Sequence, residues 1–299
     1  MDPLLAQVRE ADRSAYLALL LAPDAVRPSL TALAAYACEL ARIPLIVSEP
    51  MAGEVRLTWW AEVARGERDG EARANPLASA LLDAIEAHRL SRDALADMAD
   101  VRSFDLYADP MPDTAAFEDY AGRVGSLPIQ LAAQIIDPAA AARAGQAAGH
   151  AGVYAVAMDR LATLARDRAA GRCFLPADAL MRAWLSPADL GRPDLRTKPP
   201  GAADALVREW LSTVGTYGER ARADCASLPA SLRPAFAAAL SRRALARAIS
   251  RAGGETVDRM VEPSPLAQQA ALARSRALFV RTEGGLLGRL RERLLRRPG

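Results

Sequence analysis

Strand-forming patterns are almost absent from this chain, and that absence limits its fold more than any other feature. Aromatic residues make up only 5% of the sequence, Ala, Leu and Arg are abundant, and alternating runs of Val, Ile and Thr hardly occur. This composition favours helices over strands almost everywhere. The 20 Pro and 19 Gly residues divide the 299 residues into segments of about 10–25 residues. The sequence therefore predicts an all-α protein.

Charge and cysteine content exclude several classes of protein. The 38 Lys and Arg residues nearly balance the 36 Asp and Glu residues, for a net charge of +2, so we expect no nucleic-acid partner. Three widely separated cysteines, Cys38, Cys173 and Cys225, exclude a disulfide framework and zinc sites with paired ligands. The first residues lack a secretory signal pattern, and the apolar runs are shorter than the ~20 residues of a membrane span. These features predict a soluble, cytoplasmic protein.

Two segments carry apolar residues at the spacing of an amphipathic helix. The first begins at Pro28 and contains the stripe Leu30, Leu33, Ala34, Ala37, Leu40 and Ala41. The second covers residues 150–167 and contains the stripe Val153, Val156, Ala157, Leu161 and Leu164. On this second helix, Asp159, Thr163 and Asp167 follow one another at intervals of four residues and share a separate, polar face. We interpret that face as suited to lining a cavity.

One segment, GRPDLRTKPPG at residues 191–201, cannot form a continuous helix because it contains three prolines and two glycines. Both of its flanks have the same helical composition. We therefore interpret it as a surface loop inside one domain rather than as a linker. No repeat is visible along the chain. The sequence predicts a single domain over residues 1–299.

The last thirty residues are strongly basic. Residues 270–299 hold eight arginines against Glu283 and Glu292, a net charge of +6. Within residues 284–299, leucines and arginines separate onto opposite faces of a short amphipathic helix. One interpretation is a last helix packed on the core, with its arginines in solvent. The other is peripheral contact with an anionic membrane surface, which would bring the protein to the inner membrane.

Two long segments resemble the signature regions of the squalene/phytoene synthase family. The first, Tyr16 to Gly66, contains ELARIPLIVSEPMAGEVRLTWW, and the second, Gly149 to Leu180, contains GVYAVAMDRLATLARDRAAGRCFLP. Between them, residues 102–127 are similar to mid-chain elements of that family. The resemblance covers about residues 12–180. It implies an isoprenoid-synthase-type helical bundle around a central cavity, and an activity that joins two prenyl diphosphates head to head.

The acidic motifs with which this family holds Mg²⁺ are incomplete here. Carboxylate oxygens are the ligands that this ion prefers, and the ion neutralises the departing diphosphate. The acids of the first motif correspond to Ala41, Arg42 and Leu45, and those of the second to Thr163, Arg166 and Asp167. Pro44 is also expected to break the helix that presents the first motif. Asp159 restores some acidity, but it precedes Asp167 by about 12 Å of helix, too far to share one ion.

These losses favour a protein without prenyl-transfer chemistry. The first segment is especially similar to a divergent branch of the family that contains a mitochondrial complex I assembly factor. We therefore predict a noncatalytic assembly or binding role, with a membrane respiratory complex as partner and with no cofactor or metal. Two alternatives stay open. One is a head-to-head prenyltransferase with Mg²⁺ at a rearranged site, and the other is a binder of an intact lipid or quinone.

A few polar residues are the candidates for contact with a ligand in the cavity. They are Glu39, Asp105, Tyr120, Asp159 and Asp167. Arg166 and Arg172 could contact an anionic headgroup, but arginine is so frequent in this chain that solvated surface is the default expectation for both. No residue is assigned a catalytic role.

Overall fold

The structure is a computed structural model that describes residues 2–197 and 199–279, and within these ranges it is all-α, with no strand, as predicted. The α-helices are α1 Pro3–Ala11, α2 Arg13–Leu19, α3 Arg27–Ile46, α4 Pro50–Arg65, α5 Asp69–Ala72, α6 Pro76–His88, α7 Arg92–Asp100, α8 Thr114–Ala121, α9 Leu127–Ile136, α10 Pro138–Ala141, α11 Gly145–Ala162, α12 Leu164–Ala169, α13 Ala177–Arg182, α14 Ala202–Cys225, α15 Arg233–Ser241, α16 Arg243–Ala252 and α17 Pro265–Phe279. Short 3₁₀ helices cover Val101–Leu106, Pro187–Gly191, Ala230–Leu232 and Gly253–Val257, and a π-helical turn covers Gly122–Ser126.

Prolines and short polar residues determine where many of these helices begin. Pro3, Pro50 and Pro76 each lie in the first turn of a helix, where a missing backbone N–H breaks no intrahelical hydrogen bond. The side chain of Asn75 caps α6 by accepting hydrogen bonds from two backbone N–H groups at 3.0 and 3.1 Å. Several prolines that interrupt the sequence pattern are therefore helix starts.

Helix α3 continues through Pro44, so the predicted break at this residue was wrong. The helix runs from Arg27 to Ile46, with Pro44 in its last turn. The fixed φ of proline suits a helix, so the helix continues although Pro44 has no N–H to donate to the carbonyl oxygen of Leu40. Residues 41–45 therefore keep regular helical positions.

Three large apolar clusters form most of the core of the described residues. The N-terminal cluster comes mainly from α1–α4, α6 and α7 and includes Tyr36 and Trp60. The C-terminal cluster comes mainly from α8, α11–α14 and α16, and in it the indole N–H of Trp210 donates to the carbonyl oxygen of Ala157 at 3.2 Å. A third cluster lies among α9, α10, α11, α14 and α15. Helix α9 contributes to the N-terminal and third clusters and α11 to the C-terminal and third, so the packing is continuous.

A close backbone contact joins the π-helical turn to α11. A Cβ atom at Gly152 would lie 2.3 Å from the backbone nitrogen of Ser126, and one at Gly125 would lie 2.8 Å from the carbonyl oxygen of Gly152. Only glycine leaves room for this approach. The Ser126 hydroxyl also donates to the carbonyl oxygen of Gly149 at 3.1 Å. The contact sets the spacing between two segments that line the cavity described below.

Two predicted segments lie outside the helices described above. Residues 192–197 and 199–201 form turns between the 3₁₀ helix Pro187–Gly191 and α14, which confirms the predicted loop. The predicted basic helix at residues 284–299 lies outside the described residues.

Helix α3 is the one helix of the described ranges that is long and apolar enough to span a membrane. Its most apolar window of 18 residues has a mean hydropathy of 1.3, although this window contains Glu39 and Arg42. Half of the apolar window is buried inside the protein, and the helix packs in the N-terminal cluster. Core helices have the same length and composition, so we interpret α3 as part of the core.

Candidate functional site

A cavity of about 1450 Å³ lies between the helices, with a wall built from α1–α3, α9, α11, α12 and α15 among other elements. Most of the apolar stripe of α3 lines it, namely Leu30, Leu33, Ala34, Ala37 and Ala41. Leu40, the remaining member of that stripe, packs in the N-terminal cluster instead. From the second segment, Asp159, Thr163 and Asp167 line the cavity, but the predicted single helix is divided at Thr163 into α11 and α12, so they do not share one helix face.

The positions of both altered acidic motifs line this same cavity. They are Ala41, Arg42 and Leu45 from α3, and Thr163, Arg166 and Asp167 from the α11–α12 region. The geometry therefore agrees with the positions that the resemblance implied. What has changed is the chemistry, because the α3 positions present two alkyl side chains and one guanidinium where carboxylates were expected.

Asp105 is at the centre of a buried ionic cluster. Its Oδ2 accepts from Arg102 at 2.9 Å and from Arg160 at 3.0 Å, and its Oδ1 accepts from the Tyr120 hydroxyl at 2.7 Å. Arg160 also donates to the Tyr120 hydroxyl, and its guanidinium lies 3.5 Å from the centroid of the Phe174 ring. These bonds hold Asp105 and Tyr120 together, and both line the cavity.

The electrostatics of this cluster fix its protonation at neutral pH. Burial raises the pKa of Asp105, but the charges of Arg160 and Arg102 outweigh burial, so its pKa lies below the usual 3.8. Burial is also the main reason that the pKa of Tyr120 rises to about 12. Asp105 is therefore ionised and Tyr120 protonated, and neither has a pKa near 7, where general acid–base catalysis works best.

Asp167 belongs to an adjoining set of polar contacts. It is 2% exposed, and its carboxylate accepts from Thr163 Oγ1 at 3.0 Å and from Arg166 Nη2 at 2.9 Å. Nη1 of Arg160 lies 3.9 Å from the same carboxylate. Arg160 thus contacts both Asp105 and Asp167, which brings three of the five candidate residues into one network.

Asp159 belongs to a different ion pair. Arg242 donates to its two carboxylate oxygens at 2.8 and 3.0 Å, and donates to Asp12 at 2.9 Å. Burial raises the pKa of Asp159, and the neighbouring charge of Asp12 adds to this effect. Burial also acts on Asp12, but there Arg242 and two backbone N–H groups outweigh it and the pKa is lowered. The guanidinium of Arg242 therefore pairs with two carboxylates whose pKa values shift in opposite directions.

Glu39, the fifth candidate, pairs with its own neighbour on α3. Nε and Nη2 of Arg42 each lie 2.9 Å from a carboxylate oxygen of Glu39. Arg42 occupies one of the positions where the family resemblance implied a metal-binding acid. Arg42 therefore replaces one expected carboxylate and neutralises a second one, that of Glu39.

The residues present do not fit a Mg²⁺ site. Each of the four candidate carboxylates is hydrogen-bonded to a guanidinium. Mg²⁺ requires several oxygens at ~2.1 Å in octahedral order. Within residues 2–197 and 199–279, no three Asp, Glu, His or Cys side chains form a group that could hold a metal ion.

The sequence did not reveal the arginines that organise this cavity. Arg102 carried a usable signal, since it stands three residues before Asp105, but nothing marked Arg160 or Arg242. Arg166 and Arg172 line the cavity, in contrast to the solvated surface expected by default. Nη1 of Arg172 donates to the backbone carbonyl oxygens of Asp105 at 2.9 Å and Pro44 at 3.4 Å.

The chain forms an all-α bundle around an apolar cavity that also has polar groups in its wall. This is the isoprenoid-synthase type of fold, and solved structures of that type superpose on it. A dehydrosqualene synthase superposes with a TM-score of 0.73, at 15% identity, over 92% of this chain and 94% of that chain. Squalene synthase HpnC from Alicyclobacillus acidocaldarius superposes with a TM-score of 0.66, at 17% identity, over 84% and 92%.

Sequence comparison gives the family. The squalene/phytoene synthase family model matches residues 8–271, and this chain therefore belongs to that family. Among curated proteins, it is 28% identical over 229 residues to the NADH dehydrogenase (ubiquinone) complex I assembly factor 6 of Bos taurus, which covers 77% of this chain and 67% of the bovine protein. The human protein of the same name is 28% identical over 62% of this chain and 55% of its own length.

Proposed function

We propose that this protein has no prenyl-transfer activity and that it acts as an assembly or binding factor for a membrane respiratory complex. One observation carries the first half of this proposal: every candidate carboxylate of the cavity is bonded to an arginine. A prenyl transferase of this fold needs free carboxylates to hold Mg²⁺ against a diphosphate. We propose accordingly that the protein uses no Mg²⁺.

Similarity to curated proteins supports the proposed assembly role. Mammalian proteins similar to this chain are named as assembly factors of complex I. A noncatalytic bundle with an altered cavity suits a role in which the protein binds a partner rather than turning over a substrate. We propose complex I, or a membrane subunit of it, as that partner, and the cytoplasmic face of the inner membrane as the place of contact.

Deletion of the gene in the organism that encodes it tests the assembly role. We expect less assembled complex I on blue native gels and lower NADH:quinone oxidoreductase activity in membranes, with recovery when the gene is restored. A second respiratory complex, measured in the same membranes, controls for a general respiratory defect. Unchanged complex I would contradict the assembly role.

A direct assay tests the lack of catalysis. The purified protein is incubated with Mg²⁺ and farnesyl or geranylgeranyl diphosphate, and hydrocarbon products are measured by mass spectrometry. A dehydrosqualene synthase, assayed in parallel, serves as the positive control. We expect no product above the protein-free background, and saturable turnover would overturn this part of the proposal.

A further inference from the structure

Helix α16 carries a stripe of arginines on its outer face. Arg243, Arg247 and Arg251 follow one another at intervals of four residues, and all three are exposed. Leu245 and Ile249 are buried on the opposite face of the helix. Within the described part of the chain none of the three arginines forms an ion pair, and Arg251 donates only to the backbone carbonyl oxygen of Arg247 at 3.1 Å. The stripe is therefore a row of free positive charges.

The acids nearest to α16 are engaged elsewhere. Glu255 pairs with Arg259, and Asp258 pairs with arginines outside this helix. Asp204 of α14 accepts a hydrogen bond from the backbone N–H of Gly254 at 2.6 Å. None of these acids therefore neutralises the stripe.

Other arginines of the chain show how such charges are usually balanced. Several of them pair with an acid four residues earlier, namely Arg123 with Asp119, Arg182 with Asp178 and Arg259 with Glu255. Arginines four residues apart on a helix repel one another instead and lower its stability. The stripe therefore costs stability in the isolated protein, and an external anionic surface would offset that cost.

Arg222 extends the stripe onto α14, which packs against α16. It too forms no ion pair within residues 2–197 and 199–279. Burial raises the pKa of Tyr154, and the charges of Arg222 and Arg243 both oppose this shift, so the two guanidiniums lie around the same hydroxyl. The adjacent exposed residues Glu219 and Arg220 add no net charge. Two helices thus form one basic surface, which consists of Arg222, Arg243, Arg247 and Arg251.

The basic surface lacks the apolar anchors of a protein interface. Large apolar side chains that are exposed lie in other parts of the described chain, such as Met51, Val55 and Trp184. Specific protein interfaces depend on a few large anchors that become buried, whereas attraction to an anionic membrane requires only positive charge near the headgroups. Charge without apolar anchors therefore favours a membrane over a protein as the partner.

We propose that the basic surface binds the anionic headgroups of a phospholipid membrane and lies on that membrane without insertion. The inference deepens the proposed contact with the inner membrane, and it rests on the proposed function only for which membrane is bound. Vesicle binding and assembly of complex I are measured separately, so either can fail alone.

Sedimentation with vesicles tests the proposal on the purified full chain. One set of vesicles contains phosphatidylcholine and phosphatidylglycerol in equal parts, and the other contains phosphatidylcholine alone. We expect binding to the anionic set only, and weaker binding as NaCl is added, because salt screens exposed charges. Equal binding to both sets, binding that NaCl does not weaken, or no binding to either set would each overturn the proposal.

A triple variant, Arg243→Gln with Arg247→Gln and Arg251→Gln, locates the contact. It should bind the anionic vesicles at least about tenfold more weakly, since each arginine near such a surface contributes a factor of about five. The melting temperature should stay close to that of wild type, because glutamine and arginine have similar helix propensities. Unchanged vesicle binding would overturn the proposal and would leave the basic residues 284–299 as the contact.

A matched control makes the same change in net charge elsewhere. It replaces three exposed arginines on or next to α4, α5 and α6, as Arg56→Gln, Arg73→Gln and Arg89→Gln. We expect this control to bind the anionic vesicles nearly as well as wild type. An equal loss in the control would show that binding follows net charge rather than the basic surface, and would overturn the assignment.

Two further measurements separate a membrane from other partners. Replacement of the three stripe arginines by lysine should preserve vesicle binding, because a charged membrane attracts any cation, whereas a site built for the guanidinium fork loses affinity. In a strain that lacks the gene, the triple glutamine variant is also tested for assembly of complex I. Loss of vesicle binding in the lysine variant would contradict the proposal. Loss of assembly with unchanged vesicle binding in the glutamine variant would identify a protein interface instead, and would overturn it.

Discussion

At the scale of single residues, arginine side chains neutralise the carboxylates of this cavity. Asp105 illustrates this, because its oxygens accept from Arg102, Arg160 and Tyr120 and are left with little capacity for a metal. Buried charges are stable only when paired in this way. These bonds therefore hold the site together.

Replacement of Asp105 by Asn should destabilise the fold strongly. The variant leaves Arg102 and Arg160 without their shared carboxylate in a buried place, and breaking a buried pair costs about 3–5 kcal/mol. Asp159→Asn is the matched control, because Arg242 keeps Asp12 as a partner when Asp159 is replaced, so we expect about 1 kcal/mol or less. Urea unfolding at pH 7 measures both. Equal losses in the two variants would contradict this account of Asp105.

The two aspartates should also differ in how pH affects their contribution to the free energy of unfolding. The pKa of Asp105 is lowered on folding, so its stabilising contribution is complete above the usual pKa of 3.8 and is lost as pH falls through the folded value. The pKa of Asp159 is raised, so wild type should gain stability relative to Asp159→Asn as pH falls through the folded value towards 3.8. Urea unfolding from pH 7 to pH 4 is the measurement. The difference in free energy of unfolding between wild type and Asp105→Asn should stay constant over this range, and the difference between wild type and Asp159→Asn should change.

At the scale of elements, the contact between the π-helical turn and α11 is a close approach of two backbones. It depends on Gly125 and Gly152, because a Cβ atom at either position would overlap backbone atoms of the other element. The turn itself continues from α8 into α9 and carries Val124 and Gly125 to the cavity wall. The shape of the cavity therefore depends on glycine at both positions.

Gly152→Ala should destabilise the protein by about 1–3 kcal/mol, the usual cost of overpacking a rigid contact. The new methyl group would lie 2.3 Å from the backbone nitrogen of Ser126, and backbone atoms must move to admit it. Gly149→Ala is a matched control on the same helix, with no atom within 4 Å of its Cβ position. The control should gain about 0.5–1 kcal/mol from helix propensity. Thermal unfolding of both variants is the measurement, and a neutral Gly152→Ala would contradict the contact.

At the scale of the whole molecule, the three core clusters share helices, so we expect them to unfold together as the predicted single domain. Trp60 reports on the N-terminal cluster and Trp210 on the C-terminal cluster. Within a variant that keeps only Trp210, and within one that keeps only Trp59 and Trp60, tryptophan fluorescence and far-UV circular dichroism should give the same midpoint in urea. Two separate midpoints would show that the clusters are independent units.

Much of the fold was predictable from the sequence because helices depend on local interactions. The stripe that begins at Leu30 and the loop at residues 191–201 both follow from spacing and from backbone preferences within a few residues. The wrong prediction of a helix break at Pro44 also came from local backbone preference. A proline is disruptive in the middle of a helix, but α3 continues through Pro44, and the sequence alone did not show where α3 ends.

The sequence by itself determined which helices form, which faces are apolar and which metal-binding positions lost their acids, since each of these is a property of residues close together in the chain. Only the tertiary structure decided which arginine neutralises which acid. Arg242 is 83 residues from Asp159 and 230 from Asp12, and Arg160 is 55 from Asp105. An ion pair depends on distance in space, and that distance is set by how the helices pack after they have formed.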